Sequence, residues 1–334
     1  MTQQEIQNFL KEHPGYLKRG KYNIASKLGC TPEQVKAAKK AIGINTNDKE
    51  EYSKYVVNVK KVITTGTTIL EEELPEVVQM PKILVLDIET APISSFVWAL
   101  WKQDIYIDQI ISDWFMLSWS AKFLGSNEIL SARLYSEEVT DECDFRIVKQ
   151  LWNILDEADI VIAHNGDQFD IPKIKTRFLI NGLPPTSFYQ QIDTLKIARK
   201  EFGFSSNKLD FLARSFGIPP KISTDFKLWV RCMKGEDKAL EEMETYNKHD
   251  VEILEDVYYK LRPYIKNHPN VSLFNEDSAD RCPTCGGKHL TPNKFYFTSV
   301  GKFQVYKCED CEALSRSRKC IKRTTTTSNL SLGK

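Results

Sequence analysis

Residues 83–90 read ILVLDIET, and the pattern of this segment indicates the type of fold. Its first four side chains are apolar and branched, and Pro81 and Pro92 stand on either side. A short apolar run with such boundaries predicts a central strand that is buried on both faces. Because side chains alternate along a strand, Asp87 and Glu89 should point to the same side of the sheet at the end of this strand.

This pair of acids favours a metal site. Two adjacent carboxylates repel each other, so one should take up a proton unless a cation binds between them. Their oxygen atoms suit a hard ion such as Mg²⁺ or Mn²⁺. For an isolated Asp-x-Glu the alternative is that the acids cap neighbouring helices or face water, and the pair alone does not exclude it.

A further acid follows a second strand. Residues 158–165 predict another hydrophobic strand, which ends in a polar turn. Asp170 then begins a helix that ends near Asn181 and Gly182, a typical stop signal. Asp170 therefore lies beyond a strand end, where α/β proteins place their sites. The alternative is an ordinary acid favoured by the dipole of its own helix.

The third segment lies in residues 238–261, where apolar side chains keep roughly helical spacing. Tyr246 and Asp250 are four positions apart, so they share one face of this helix. By itself the pair could be a core tyrosine beside a solvated acid. The three segments together, in this order, instead predict an enzyme site built from four carboxylates and a tyrosine.

These segments form three motifs: Asp-x-Glu at Asp87, Asn-x-x-x-Phe-Asp ending at Asp170, and Tyr-x-x-x-Asp ending at Asp250. With them the chain resembles the DEDD exonuclease superfamily, which has a DnaQ-like, RNase H-like fold. It is most similar to the proofreading domains of family B DNA polymerases. Tyr246 is typical of the tyrosine branch, since Thr245 stands where the histidine branch has its histidine.

The resemblance covers about residues 81–265 and includes the connecting segments 192–195 and 208–217. It implies an α/β fold with an RNase H-like mixed sheet flanked by helices. Two strands predicted within residues 115–134 fit the antiparallel start of such a sheet. A helix predicted near residues 145–155 then leads to a parallel strand.

The resemblance also implies metal-dependent hydrolysis of DNA from a 3′ end, most naturally a single-stranded one. The tyrosine of the third motif would orient the attacking water, while four acids would bind two Mg²⁺ or Mn²⁺ ions. The implied catalytic residues are Asp87, Glu89, Asp170, Tyr246 and Asp250.

Other positions of the motifs carry further implied roles. Thr90, Asn165 and Phe169 would help to seat the terminal nucleotides, whereas Asp193 is interpreted as structural. One alternative is a ribonuclease or a structure-specific endonuclease on the same fold, because recognition of the 2′-hydroxyl of RNA leaves no readable sequence mark. Another is a non-catalytic DNA-binding regulator or scaffold, which would have no use for clustered, repelling acids.

Near the C-terminus, two Cys-x-x-Cys pairs are separated by 22 residues. Four thiolates with this kind of spacing predict one structural Zn²⁺ in a zinc ribbon, with two intervening strands as a hairpin. The alternative is a pair of disulfides, which reducing compartments disfavour. The partner of the ribbon is open between nucleic acid and a replication or repair protein. The predicted ligands are Cys282, Cys285, Cys308 and Cys311.

The N-terminal segment, residues 1–45, predicts a small all-α domain. Thr2 and Glu5 form a capping box ahead of an apolar run, and Thr31 and Gln34 form a second one. Short helices joined by a glycine turn are typical of a helix-turn-helix DNA-binding module. A helical module for protein contacts is the alternative.

These features predict a linker at residues 46–80, a nuclease domain at 81–268, a ribbon at 278–315 and a basic, disordered tail at 316–334. The net charge is +1, but residues 1–45 carry eight Lys or Arg against three acids, and 269–334 carry eleven against six. Basic ends around an acidic centre favour DNA as the partner, with RNA as the alternative. With no apolar run long enough for a membrane span and no targeting signal, we expect a soluble, intracellular protein.

Overall fold

The computed structural model describes residues 2–12, 28, 32–41, 80–102, 104–219, 224–275 and 279–323. The predicted linker, except Met80, lies outside the described residues. So do the second helix of the predicted helix-turn-helix, except Leu28, and the end of the predicted tail from residue 324 onward. Within the described residues, no helix is both long enough and apolar enough to cross a membrane.

The strand that contains Asp87 and Glu89 is the middle strand of a five-stranded mixed sheet. The sheet strands are β1 (Ile83–Thr90), β4 (Met116–Phe123), β5 (Leu130–Arg133), β6 (Ile160–Ala163) and β7 (Gln190–Asp193), and a separate pair consists of β2 (Ser94–Ser95) and β3 (Ile110–Ser112).

In the five-stranded sheet the spatial order is β5-β4-β1-β6-β7. The pairs β1–β4 and β4–β5 are antiparallel, while β1–β6 and β6–β7 are parallel. The antiparallel start followed by parallel strands is the arrangement that the sequence predicts. The fold is therefore a mixed α/β sheet flanked by helices, of the RNase H-like kind.

Helices connect the strands. They are α3 (Ser136–Thr140), α4 (Phe145–Glu157), α5 (Asp170–Ile180), α6 (Thr194–Glu201), α7 (Leu209–Ser215), α8 (Phe226–Met233) and α9 (Asp237–Leu261). The predicted helices near residues 145–155, after Asp170 and over 238–261 correspond to α4, α5 and α9. Gly182 has φ +70°, a left-handed conformation that suits the end of α5.

One buried apolar cluster lies where α9 packs on the parallel half of the sheet. Both faces of β1 are buried, as its apolar run predicts. This packing fixes the middle of α9 beside the end of β1, and the position of the site follows from it. The buried apolar cluster includes Ile83, Val85, Ile160, Ile162, Ile192, Val251, Leu254 and Tyr258.

The N-terminal helices fall in one of the two compact units into which the chain divides. They are α1 (Gln3–Glu12) and α2 (Pro32–Ala41), and they bury Ile6, Leu10, Val35 and Ala38 against one another. The predicted capping box of α1 is present, since the Thr2 backbone N–H donates to Glu5 Oε2 at 2.7 Å and the Glu5 N–H donates to Thr2 Oγ1 at 3.3 Å. The helix-turn-helix stays a prediction.

The C-terminal segment forms a three-stranded antiparallel sheet. Its strands are β8 (Leu290–Phe297), β9 (Gly301–Cys308) and β10 (Leu314–Arg323), in the order β10-β9-β8. The hairpin β8–β9 is as predicted. The prediction of a disordered tail is wrong for residues 316–323, because this basic segment pairs with β9 as a third strand.

Candidate active site and metal centres

Three of the predicted acids meet at the end of β1. Asp87 and Glu89 come from β1, and Asp250 comes from the middle of α9. Carboxylate oxygens of these three residues all lie within 4.8 Å of one another. Asp250 is 3% exposed, and the other two are half-buried. Acids packed so closely and so far from water are costly unless a cation joins them.

Asp170, the fourth predicted acid, begins α5 on the adjacent side of β1. It is 2% exposed, and its Oδ1 accepts a hydrogen bond from the Ile88 backbone N–H at 3.2 Å. It therefore contacts the strand between Asp87 and Glu89, although it lies outside the 4.8 Å cluster of the other three. Burial, helped by the charge of Asp193, raises the pKa of Asp170 to about 7.

The turn between β6 and α5 places Asp170. Asn165 has φ 71°, and Gly166 follows it so closely packed that an added Cβ would lie 2.5 Å from the Cβ of Ala163. Asp193 Oδ1 accepts from the Asn165 N–H at 3.0 Å and from the Leu195 N–H at 3.0 Å. Asp193 thus ties the turn to the start of α6, which supports its structural interpretation.

Asn247 is a site residue that the sequence motifs did not predict. It is fully buried, and its Nδ2 donates to Asp87 Oδ2 at 2.5 Å, while Ser118 Oγ donates to Asn247 Oδ1 at 3.5 Å. Asn247 therefore holds the Asp87 carboxylate from the α9 side. The available signal was its position three residues before Asp250, which puts a polar side chain on the same helix face.

Two clefts flank the end of β1. The carboxylate cleft, about 590 Å³, contains Asp87, Glu89 and Asp250 together with Phe169, and its wall also includes Arg199 and Lys208. Positive side chains beside the acids provide partners for phosphate groups. Phe169 is 37% exposed and lines this cleft.

The aromatic cleft, about 540 Å³, contains Thr90, Trp114, Trp229 and Tyr246. Tyr246 is only 7% exposed and meets the Trp229 ring edge to face, with ring centroids 6.2 Å apart. Lys173 Nζ lies 3.7 Å from the centroid of the Trp114 ring. This cleft thus combines aromatic faces with a cation. Two of the predicted residues, Asn165 and Asp170, line neither cleft: Asn165 belongs to the turn, and Asp170 is buried against β1.

The four predicted zinc ligands also come together. The Cys282 and Cys311 sulfur atoms are 3.6 Å apart, as are those of Cys285 and Cys308. Sulfur atoms about 2.3 Å from one tetrahedral Zn²⁺ would be about 3.8 Å apart, whereas a disulfide bond is about 2.0 Å long. The arrangement is compatible with a zinc ribbon and argues against disulfides.

The thiols influence each other's protonation. Hydrogen bonds from Cys285 and Cys311 lower the pKa of the Cys282 thiol far below its ordinary range. Donating these hydrogen bonds raises the pKa of Cys285, and raises that of Cys311 to about 11. The Cys282 thiol therefore loses its proton more readily than those of Cys285 and Cys311, and a soft divalent ion would favour the deprotonated form of all its thiol ligands.

A comparison with protein families agrees with the fold. Residues 125–262 match the model of the family RNase_H_2, of the RNase_H superfamily. No curated protein matches the chain. Among solved structures the chain is similar to the family B DNA polymerase from the hyperthermophilic archaeon Pyrobaculum calidifontis, with 15% sequence identity and a TM-score of 0.42. That match covers 58% of this chain and 26% of the polymerase, so the chain corresponds to about a quarter of that protein.

The family match includes α9, with Asp250, Asn247 and Tyr246, and the strand and helix around Asp170. The chain carries an RNase H-like superfamily domain.

Proposed function

We propose that this protein is a metal-dependent 3′–5′ exonuclease that hydrolyses DNA at single-stranded 3′ ends. The observation that carries the proposal is the meeting of Asp87, Glu89 and Asp250 within 4.8 Å at the end of β1, with buried Asp170 against the same strand. An RNase H-like fold that places clustered acids here fits nucleic-acid hydrolysis. The polarity and the choice of DNA depend on the motif resemblance.

The donor set fits Mg²⁺ or Mn²⁺, since every candidate ligand is a carboxylate oxygen and hard ions prefer oxygen. Asp87, Glu89, Asp170 and Asp250 would hold two such ions. When bound, the ions would supply an activated water and charge stabilisation for the departing 3′ oxygen. The raised pKa of Asp170 also fits, because a buried carboxyl that is hard to ionise alone is ionised readily beside a cation.

The remaining residues of the site would act on the substrate and on the ligands. Tyr246, held by the Trp229 ring, would orient the attacking water through its hydroxyl. Arg199 and Lys208 would bind phosphate oxygens of the strand. Asn247 would keep Asp87 in its ligating orientation through the 2.5 Å hydrogen bond.

For the ribbon, we propose one structural Zn²⁺ bound by the four clustered cysteines. The sulfur spacing and the soft thiolate donors favour zinc over a hard ion. For the N-terminal unit, the proposal is a DNA-binding helix-turn-helix within residues 1–45, joined by a linker at 46–80 to a nuclease domain at 81–268.

The test is digestion of single-stranded DNA and RNA labelled at the 5′ end, with and without Mg²⁺ or Mn²⁺, beside an Asp87→Ala control. The proposal predicts a metal-dependent ladder that shortens from the 3′ end of DNA and is absent in the control. A ladder on RNA alone would show that the substrate is RNA instead of DNA. Discrete internal cuts would show that the enzyme is an endonuclease instead of an exonuclease. Binding of DNA without any cleavage would overturn the enzyme proposal in favour of a scaffold.

A further inference from the structure

A second large groove lies away from the carboxylates, between the C-terminal end of α9 and the ribbon sheet. Its volume is about 1920 Å³. The two walls are joined by a hydrogen bond from the Val271 N–H to the Pro283 carbonyl at 2.8 Å. On the α9 side, Tyr258 and His268 are joined by a hydrogen bond of 2.8 Å between Oη and Nε2. The first contact ties the ribbon to the segment that follows α9, and the second holds that segment against α9 itself, so the groove has a defined shape.

The groove is strongly basic. Nine Lys or Arg residues line it, against four Asp or Glu. Two of these acids are already neutralised, because Glu201 pairs with Lys266 at 2.6 Å and Glu312 pairs with Lys307 at 3.7 Å. In the part of the chain that the structure describes, no ion pair involves the groove residues Lys260, Arg318 or Lys319. The groove therefore presents uncompensated positive charge on both of its walls.

Aromatic rings lie among these cations. Tyr259, Tyr264 and Tyr306 line the groove, and Tyr264 is 57% exposed. The Arg262 guanidinium lies 5.0 Å from the centroid of the Tyr259 ring. A positive groove with exposed aromatic faces matches the chemistry of a single nucleic-acid strand, whose phosphates contact Lys and Arg while its bases stack on the rings.

We propose that this groove binds a single nucleic-acid strand, as a second site separate from the carboxylates. Lys260 and Asp250 are on the same helix, ten residues or about 15 Å apart. If the proposed nuclease function holds, a strand with its 3′ end at the carboxylates would occupy the groove with its upstream nucleotides. The groove would then strengthen the binding of long substrates and leave the binding of very short ones unchanged.

The test measures the affinity of the full-length chain for labelled single-stranded DNA by fluorescence anisotropy at several salt concentrations. An Asp87→Ala background prevents cleavage without a chelator, which would also remove zinc. The variant Lys260→Gln/Arg318→Gln/Lys319→Gln removes one positive charge from the α9 wall and two from the ribbon wall. One matched control is Lys238→Gln, at the other end of α9, and another is Lys322→Gln/Arg323→Gln, on β10 but outside the groove lining.

The expected result is at least a tenfold loss of affinity for a long strand in the triple variant. Its salt dependence should also fall, by about 0.7 in the slope of log K against log salt for each lost phosphate contact, or about 2 in all. Both controls should bind within about twofold of the background protein. Equal binding by the triple variant and the controls would overturn the groove proposal, including the case in which the groove instead binds an acidic protein.

The readout separates this proposal from the nuclease proposal. If the groove variant loses binding while the protein with intact Asp87 cleaves nothing, the groove stands and the nuclease fails. If the protein with intact Asp87 cleaves DNA and the groove variant binds and degrades long strands normally, the nuclease stands and the groove fails.

Discussion

The carboxylate site and the cysteine cluster each bring together side chains of one chemical type that could bind a metal. They differ in which residues hold these side chains in place. The acids lie on β1 and α9, whose own apolar residues form the surrounding core. In the ribbon, the buried cluster consists of the cysteines themselves with Ala313, while seven of the eight residues of β8 are exposed. We expect that the RNase H-like domain folds without a metal and positions its carboxylates in advance, whereas the ribbon folds only when its cysteines bind a metal.

The largest effect expected from this comparison is on catalysis. Asp87→Ala should lower the rate of DNA hydrolysis by at least about a thousandfold, because losing a metal ligand removes several kcal/mol of charge stabilisation. The melting temperature should stay the same or rise, since one repelling acid is gone. Nuclease assays and calorimetry measure both. The matched control is Asp256→Ala, an exposed acid on α9, which should be fully active.

An Asp87→Ala variant that does not fold would contradict this difference between the two sites, because the acid would then be needed for the stability of the domain. A variant that retains metal-dependent cleavage would contradict the expected effect on catalysis.

The second largest effect is on the ribbon. Cys308→Ser should abolish zinc binding and unfold residues 279–323, because about 10–16 kcal/mol of zinc-binding free energy is coupled to folding in such domains. Limited proteolysis should then cut the ribbon while the nuclease domain stays resistant. Cys320→Ser is the control, since Cys320 lies on β10 outside the cluster and its Sγ donates to the Lys322 carbonyl. A protease-resistant ribbon in Cys308→Ser would show that the metal is dispensable there.

A smaller effect is expected at Asn247, which touches a ligand without being one. Asn247→Ala should weaken the affinity for Mn²⁺ or Mg²⁺ by about 10- to 100-fold, as is usual when a partner of a metal ligand is removed. Activity at saturating metal should recover in large part. Titration of activity against metal concentration separates weaker metal binding from lower activity at saturating metal. Lys248→Ala, on the same helix, is the control. A loss of activity that excess metal does not restore would contradict a positioning role.

The backbone at Gly166 should give an effect of similar size, but on stability. Gly166→Ala would bring a Cβ to 2.5 Å from the Cβ of Ala163, which should cost about 1–3 kcal/mol in the free energy of unfolding and displace Asp170. Gly203→Ala is the matched control, because its added Cβ meets no atom within 4 Å. Chemical denaturation measures the difference. Equal stabilities of the two variants would show that the turn adapts freely.

The smallest expected effect concerns pH. The folded protein raises the pKa of Asp170 from 3.8 to about 7, so the folded form binds this proton more tightly than the unfolded chain. Stability from this group is therefore present at low pH and declines as the pH rises from about 4 to about 7. Without Mg²⁺, Asp170→Asn should lose less of its melting temperature over this range than the unsubstituted protein. Parallel curves of melting temperature against pH for the two proteins would contradict the burial of an ionisable Asp170.

The sequence was most informative where the pattern is local. The apolar run before Asp87, the helical spacing around Asp250 and the paired cysteines each reflect one element, and the structure contains them as predicted. The contact of Asn247 with Asp87 joins positions 160 residues apart, so the helical spacing that puts Asn247 on the same face as Asp250 does not reveal it. Strand β10 was missed because both of its faces are largely exposed, so its sequence alternates between polar residues instead of polar and apolar ones.

The most direct test of the central claim is anomalous diffraction from crystals grown with Mn²⁺, measured at an energy where manganese scatters strongly. Manganese should be bound by Asp87, Glu89 and Asp250 at the end of β1, in an RNase H-like domain with the same backbone as the metal-free protein. Crystals at saturating Mn²⁺ with no manganese at these carboxylates would contradict the account.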